Sequence, residues 1–360
     1  MAPRRTLLAA IIAPSVGKIG DTAPVTWVKR LGHWIGVLGV AVVAVICAAW
    51  AFGAVWFDAP FGNGNRIVAA IVGSLFAIVL LFVRPLLKKL AASLTLFTMV
   101  LALWLTLQPT NEGNWQHDVA QLAWANIQGD EVTLHNVRNC DYRTEADYTP
   151  HWETRTVRIS QITGIDLAIN YWGSPWIAHP IVSFQFADAP PICFSIETRK
   201  KFGQTYSTIG GLYRQFELIY IVADERDVIR VRTNYRKDED IYLYRTTISP
   251  AQARGRFLEY IHSLNAMRDK PRWYNAITTN CTTSIRTQHA ATERMPWDWR
   301  ILVNGKGDEL LYERGVLDNR VPFAELKRLA YIDARARAAN DAPDFSKRIR
   351  THFAGALPSY

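Results

Sequence analysis

Three apolar runs, about 31–56, 67–83 and 90–107, fill the first third of this 360-residue chain and carry charges only at their ends. A bilayer's hydrocarbon core takes about 20 apolar residues of helix, so runs of this length constrain the fold more than any other feature. A cleaved secretory signal fits the N-terminus badly. The short apolar patch Leu7–Ile12 is followed by Pro14 and further basic residues instead of a small-residue cleavage site. The runs predict a cytoplasmic segment over 1–30, three transmembrane helices within 31–109 and one domain over 110–360.

Basic residues set the orientation. Arg4, Arg5, Lys18, Lys29 and Arg30 precede the first run, and Arg84, Lys88 and Lys89 lie between the second and third. The loop Phe57–Arg66 has Arg66 as its one base. The positive-inside rule puts the N-terminus and the Arg84–Lys89 turn in the cytoplasm, hence everything past Gln108 outside. The expectation is a multi-pass protein of a bacterial inner membrane with a periplasmic C-terminal domain.

The net charge of +9 is partly this topology signal, with further basic tracts at Arg335–Arg337 and Lys347–Arg350. A solvated basic surface accounts for those tracts; attraction to anionic lipid headgroups is the functional alternative. Nucleic acid is excluded as a partner, since no nucleic-acid motif occurs and the domain lies outside the cytoplasm. Oligomeric state is not encoded in any pattern we find.

The domain reads as α+β. Its first half is strand-like at Glu131–Asn136, Thr154–Gln161, Ile181–Phe186, Ile192–Thr198, Leu218–Val222, Val228–Thr233 and Ile241–Arg245. The second half is helical. Ser249-Pro250-Ala251-Gln252 has the pattern of a capping box with proline at the first helical position, and Phe257, Leu258, Ile261 and Leu264 recur at helical spacing. Further helices are predicted at about Thr282–Arg294 and Phe323–Ala338.

Cys281 is the residue richest in chemistry. It follows the capping-type Asn280 where a loop containing Trp273 and Tyr274 gives way to a helix. Unpaired amides and the helix dipole at such a position favour the thiolate; the alternative is an inert small side chain in a core helix. Cys47 lies within the first apolar run, and a Cys140–Cys193 disulfide is one arrangement of the others, its connectivity left open. No CxxC or His-rich cluster indicates a metal, no GxSxG occurs, and neither a nucleotide nor a metal cofactor is implied.

A nucleophilic thiol needs a base. His289, eight residues beyond Cys281, would lie about 12 Å along a helix and is too far. His179 fits better. It opens a strand whose apolar parity is Val182, Phe184 and Phe186, and it shares the polar parity with Ser183 and Gln185. After the turn at Ala187–Pro191, Cys193, Ser195 and Glu197 take the polar parity. In a hairpin centred on Ala189, His179 lies opposite Arg199, and Glu197 becomes a diagonal neighbour able to orient the imidazole. The bland readings are an edge histidine and a Glu197 salt bridge. Asn280 could bind an oxyanion or simply cap, Tyr274 could line a groove, and Arg199 could grip a phosphate or carboxylate. Asp224, Glu225, Arg226 and Asp227 read as a surface ion-pair cluster.

Several separated motifs together resemble the Lnb N-terminal periplasmic domain family, in the right order over roughly Asn111 to Ser346. They are Asn136–Asn139, Ala178–Phe184, Ser195–Arg199, Gly211–Tyr213, Phe216–Tyr220, Asp224–Asp227 and Tyr274–Thr283. The resemblance implies a domain akin to permuted papain-like folds of the NlpC/P60 kind, with histidine preceding cysteine. The family's namesake is a lipoprotein N-acyltransferase with a Cys–His pair, which maps onto Cys281 and His179. Unlike the namesake, this chain has its membrane spans before the domain. The leading expectation is therefore acyl transfer through a Cys281 thioester, with His179 as base and Glu197 orienting it, on lipid or lipoprotein. The rivals are a peptidoglycan or peptide amide hydrolase and a non-catalytic membrane-tethered binding module.

Overall fold

A computed structural model describes residues 23–58 and 64–351. Most of the predicted cytoplasmic segment, with Arg4, Arg5 and Lys18, lies outside the described residues, as does His352.

The chain divides into two units. Among the described residues three helices are long and apolar enough to cross a membrane: α1 (Ala23–Asp58), α2 (Asn65–Phe82) and α3 (Leu86–Leu105). The first unit holds these helices except for their ends at Trp56–Asp58, Asn65 and Leu103–Leu105. Their apolar side chains are largely exposed, as lipid-facing residues must be, and a small cluster of Cys47, Ala51 and Phe76 packs within the unit.

The second unit comprises Trp56–Asn65 and everything from Leu103. Its strands are β1 (Trp124–Gln128), β2 (Glu131–Arg138), β3 (Asp141–Tyr142), β4 (Tyr148–Thr149), β5 (Trp152–Arg158), β6 (Ile162–Trp172), β7 (Ala178–Phe186), β8 (Ile192–Arg199), β9 (Glu217–Ala223) and β10 (Glu239–Arg245). Its helices are α4 (Glu225–Val228), α5 (Pro250–Asp269), α6 (Cys281–Gln288), α7 (Gly307–Glu313), α8 (Phe323–Ala330), α9 (Asp333–Ala338) and α10 (Phe345–Arg348). The main sheet runs β1-β2-β9-β8-β7-β6-β10, with β5 beside β2, and every pairing is antiparallel except β2 with β9. The architecture is α+β, as the sequence predicts.

Each face of the sheet has its own core. On one face Leu167, Val182, Phe184, Phe194 and Tyr220 pack against Phe257, Tyr260, Ile261 and Leu264 of α5, together with Cys281 of α6. On the other, Ala168, Ile181, Cys193, Ile219 and Ile221 pack against Val228, Ile332, Ala336, Phe345 and Ile349. Strand parity therefore decides which layer a side chain joins.

Several expectations need correction. The segment Val228–Thr233 is helical rather than extended, since Asp224 caps α4 by accepting from the Arg226 amide, and a π turn follows over Val231–Tyr235. That turn buries Glu225 and Asp227 completely, so Asp224–Asp227 is no surface cluster. Asp227 takes the Arg138 guanidinium at 2.8 Å, and Arg350 bridges Glu225 and Asp166. The predicted helix Phe323–Ala338 breaks at Tyr331, which pairs with Tyr242, while Asp333 Oδ1 accepts the Ile241 amide at 3.0 Å. The predicted helix from Thr282 stops at Gln288, where His289 turns extended and its Nδ1 lies 2.6 Å from Glu259 Oε2. The Ser249–Gln252 capping box forms as predicted.

Candidate functional site

Cys281 is the first residue of α6. Asn280 caps the helix, with its Oδ1 accepting the Thr283 amide and its Nδ2 donating to the Ala276 carbonyl at 2.8 Å. Asn280 therefore acts as the helix cap, with one of its two amide hydrogens given to Ala276. The Cys281 sulfur is buried, and that burial pushes its thiol up despite opposing hydrogen bonds from Thr282 and Asn304. Desolvation thus outweighs the helix-terminus effect that the sequence suggested.

His179 and Cys281 do not form a pair. Position 179 has the parity of Ile181 and Ser183, whose layer is the α4/α9/α10 side of the sheet, whereas Cys281 belongs to the α5/α6 side. Pro180, the next residue, is the one that faces the Cys281 side. Imidazole and thiol thus belong to opposite layers of the sheet.

His179 instead joins a polar chain on its own face. Its Nε2 is 2.7 Å from Ser195 Oγ, and that hydroxyl donates to Glu197 Oε1 at 2.7 Å. Ser195 has one proton to give, so Nε2 carries its own and donates to Ser195. Glu197 also binds Arg232 at 2.9 Å, and that arginine's charge is the main influence holding its carboxyl well below the usual range against the cost of burial. Burial, with the Arg232 charge acting in the same direction, brings His179 down to about 4. The predicted parity of His179, Ser195 and Glu197 holds. The hairpin register does not: Ile181 pairs with Ser195 and Ser183 with Cys193, which centres it on Asp188. That register sets position 197 opposite 179 in place of 199, and the side chains of His179 and Glu197 are linked through the Ser195 hydroxyl.

Arg199 is buried with its cation 4.3 Å above the Trp115 ring, and it donates to the carbonyls of Val119 and Ala120 at 2.9 and 2.7 Å. It ties strand β8 to the segment entering the domain and is not presented to a ligand. Tyr274 is buried near the start of α6, its hydroxyl 3.4 Å from that of Tyr206. Cys140 and Cys193 are free thiols in separate clusters, so the compatible disulfide is not made.

Sequence reading missed Asn304 and Gly305. Asn304 Nδ2 lies 3.7 Å from the Cys281 sulfur and 3.3 Å from Thr282 Oγ1, while its Oδ1 accepts the Ala178 amide at 2.9 Å. Gly305 donates to the Trp176 carbonyl, and a Cβ there would sit 2.3 Å from the Trp176 carbonyl carbon. The Asn-Gly pair thus clamps the start of β7 against the thiol. An Asn-Gly dipeptide in a loop reads as turn chemistry, which hides this role.

Thr282 and Asn304, the two polar contacts of the sulfur, also form part of the wall of a cavity of about 480 Å³. Ligand pockets span roughly 300–1,000 Å³. Its walls are mainly apolar, with Ile165, Leu167, Ile169, Val182, Ile285 and Leu310, and Arg256, Arg286, Arg300 and Arg314 supply cations.

The match to known families falls on this same stretch. A family model described as the Lnb N-terminal periplasmic domain matches residues 148–305. Over those residues the chain is similar to the Lnb N-terminal periplasmic domain family. The match runs from β4 to the Asn304–Gly305 clamp and includes Cys281. No curated protein and no solved structure matches the chain. Together with the three apolar helices among the described residues, the family match fits a membrane-anchored protein with a periplasmic domain.

Proposed function

We propose that the Lnb N-terminal domain takes one acyl chain of a membrane lipid or lipoprotein into the cavity beside α6, in a multi-pass protein of the inner membrane. The observation that carries this reading is the mainly apolar cavity whose wall includes both polar neighbours of the Cys281 sulfur. Apolar walls favour a hydrocarbon chain, and Arg286 and Arg314 suit an anionic headgroup or carboxylate, whereas Arg256 and Arg300 are held by Glu259, Glu293, Asp298 and Glu313. A muropeptide, rich in amides and hydroxyls, would leave its polar groups unpartnered against Ile165, Leu167 and Val182, which disfavours the peptidoglycan hydrolase.

Acyl transfer through Cys281 is the second reading, favoured by the thiol's place at a helix N-terminus with the Asn304 amide 3.7 Å away. The sulfur would attack an ester carbonyl to form a thioester, and the departing alkoxide would take the thiol proton. An acceptor nucleophile would then take the acyl group and return a proton to sulfur. His179 has no part in this step.

Native mass spectrometry of the full chain, purified in mild detergent, tests both readings. Bound acyl lipid that is lost when Ile285→Trp fills the cavity supports the first. A covalent acyl mass abolished by Cys281→Ala, with lipid binding retained, supports the second. Equal lipid occupancy in the wild type and Ile285→Trp would refute the proposal.

A further inference from the structure

The β6–β7 and β8–β9 connections of the antiparallel meander emerge at one end of the sheet. Hydrogen bonds trace a continuous rim across that end. Ala276 donates to the Gly211 carbonyl, Asn280 to Ala276, Asn304 to Thr282, and Gly305 to Trp176. Cys281 lies in the middle of this path.

The rim is where the domain leaves its apolar side chains uncovered. Among the described residues beyond 107, every large exposed apolar side chain except Ile127 lies on segments 176–177, 202–212, 277 or 297–302. Ile209, Trp299 and Ile277 are each more than half exposed. Apolar exposure concentrated in this way marks an interaction surface, whereas scattered exposure does not.

Two observations identify the occupant. First, the last residues of α1 and α3, which belong to the second unit, are packed into this rim: Tyr213 stacks on Phe57 at 5.4 Å, and the Arg214 guanidinium donates to the carbonyls of Trp104 and Leu107 at 2.8 Å. Second, aromatic rings here are paired with cations. Arg214 lies 3.9 Å over the Trp104 ring, and the Lys306 ammonium lies 5.5 Å from the centre of the Trp176 ring. Tryptophan beside lysine or arginine is the composition that settles at the headgroup level of a bilayer.

We propose that this rim, with Trp176, Ile177, Ile209, Leu212, Ile277 and Trp299, seats the periplasmic domain on the phospholipid leaflet. Apolar side chains enter the acyl boundary while Lys306 and Arg214 meet phosphates. The start of α6 and the cavity wall at Thr282 and Asn304 then lie next to the lipid, so an acyl chain need not cross water to reach them. The seating does not depend on what the cavity holds.

The test uses the full chain in nanodiscs of phosphatidylglycerol and phosphatidylcholine. The photo-crosslinker benzoylphenylalanine is placed singly at 277, 299 or 127, all exposed positions whose replacement leaves the core untouched. Irradiation and intact mass measurement read the adduct. A phospholipid adduct at 277 and 299, absent at 127, is expected, and Lys306→Glu should reduce the yield at 299. Equal yields at all three positions, or capture of a second polypeptide in place of lipid, overturn the proposal. Cavity occupancy, read by native mass on the same preparation, separates failure of the seating from failure of acyl binding.

Discussion

Replacing Asn304 by aspartate isolates the electrostatics at Cys281 from the packing around it. Asn304 Nδ2 is 3.7 Å from the sulfur, and Oδ1 holds the Ala178 amide. Aspartate keeps the acceptor for Ala178 but sets a negative charge where a donor stood. A unit charge at that distance costs the thiolate about 4 kcal/mol at an effective dielectric of about 20. Solvent reaching the cavity screens this, and about one to two pKa units is the working figure. The thiolate fraction falls accordingly, yet a more basic thiolate is more nucleophilic, which recovers somewhat under half of the logarithmic loss. Alkylation of Cys281 at neutral pH should therefore slow by about three- to tenfold. The assay is the rate of iodoacetamide labelling against pH, located by peptide mass, with Cys281→Ser as blank. Thermal melting of the same variant should stay near wild type, whereas Asn304→Ala, which strands the Ala178 amide, should lose about 1–3 kcal/mol. An Asn304→Asp rate profile superimposed on wild type would refute the reasoning.

Three further outcomes follow from the geometry. Gly305→Ala drives a Cβ against the backbone of Pro175–Ile177 and should destabilise by about 1–3 kcal/mol, read by chemical denaturation. Arg350→Met leaves Asp166 and Glu225 buried without their shared cation and should cost about 3–5 kcal/mol; a midpoint shift within error would count against it. His179, held down to about 4, remains neutral in the fold while the unfolded chain binds a proton below its ordinary value of 6.5. Stability from this group is therefore full above about pH 6.5 and is lost as pH falls towards 4, by at most about 3 kcal/mol. Melts of His179→Gln should show a shallower decline across that window than wild type.

Local patterns carried much of this architecture. The apolar runs, the β7–β8 parities and the Ser249 capping box each follow from neighbouring residues alone. What stayed hidden depends on partners distant in sequence. Val228–Thr233 reads as a strand because its β-branched residues cannot show that Asp227 must reach Arg138. Strand β6 escaped notice because it is buried on both faces, which erases alternation, and Asp166 and Asn170 interrupt its apolar run. The site failed on a matter of layer. Parity put His179 and Glu197 on one face correctly, but nothing in the sequence says which face α6 will cover. Asn304 escaped for a similar reason, being a loop residue that acquires its role through the amide of Ala178, 126 positions earlier in the chain.

The salt link from Arg350 to Asp166 and Glu225 bears on where this domain can be cut. The family match stops at 305, yet Ile332, Ala336, Phe345 and Ile349 help cover one side of the sheet. A recombinant fragment ending at 305 would expose Ile181, Ile219 and Ile221 to water, strand the interior Glu225 and leave Asp166 with Arg245 alone. The unit that folds is therefore longer than the unit that homology delimits, and an expression boundary belongs after residue 351.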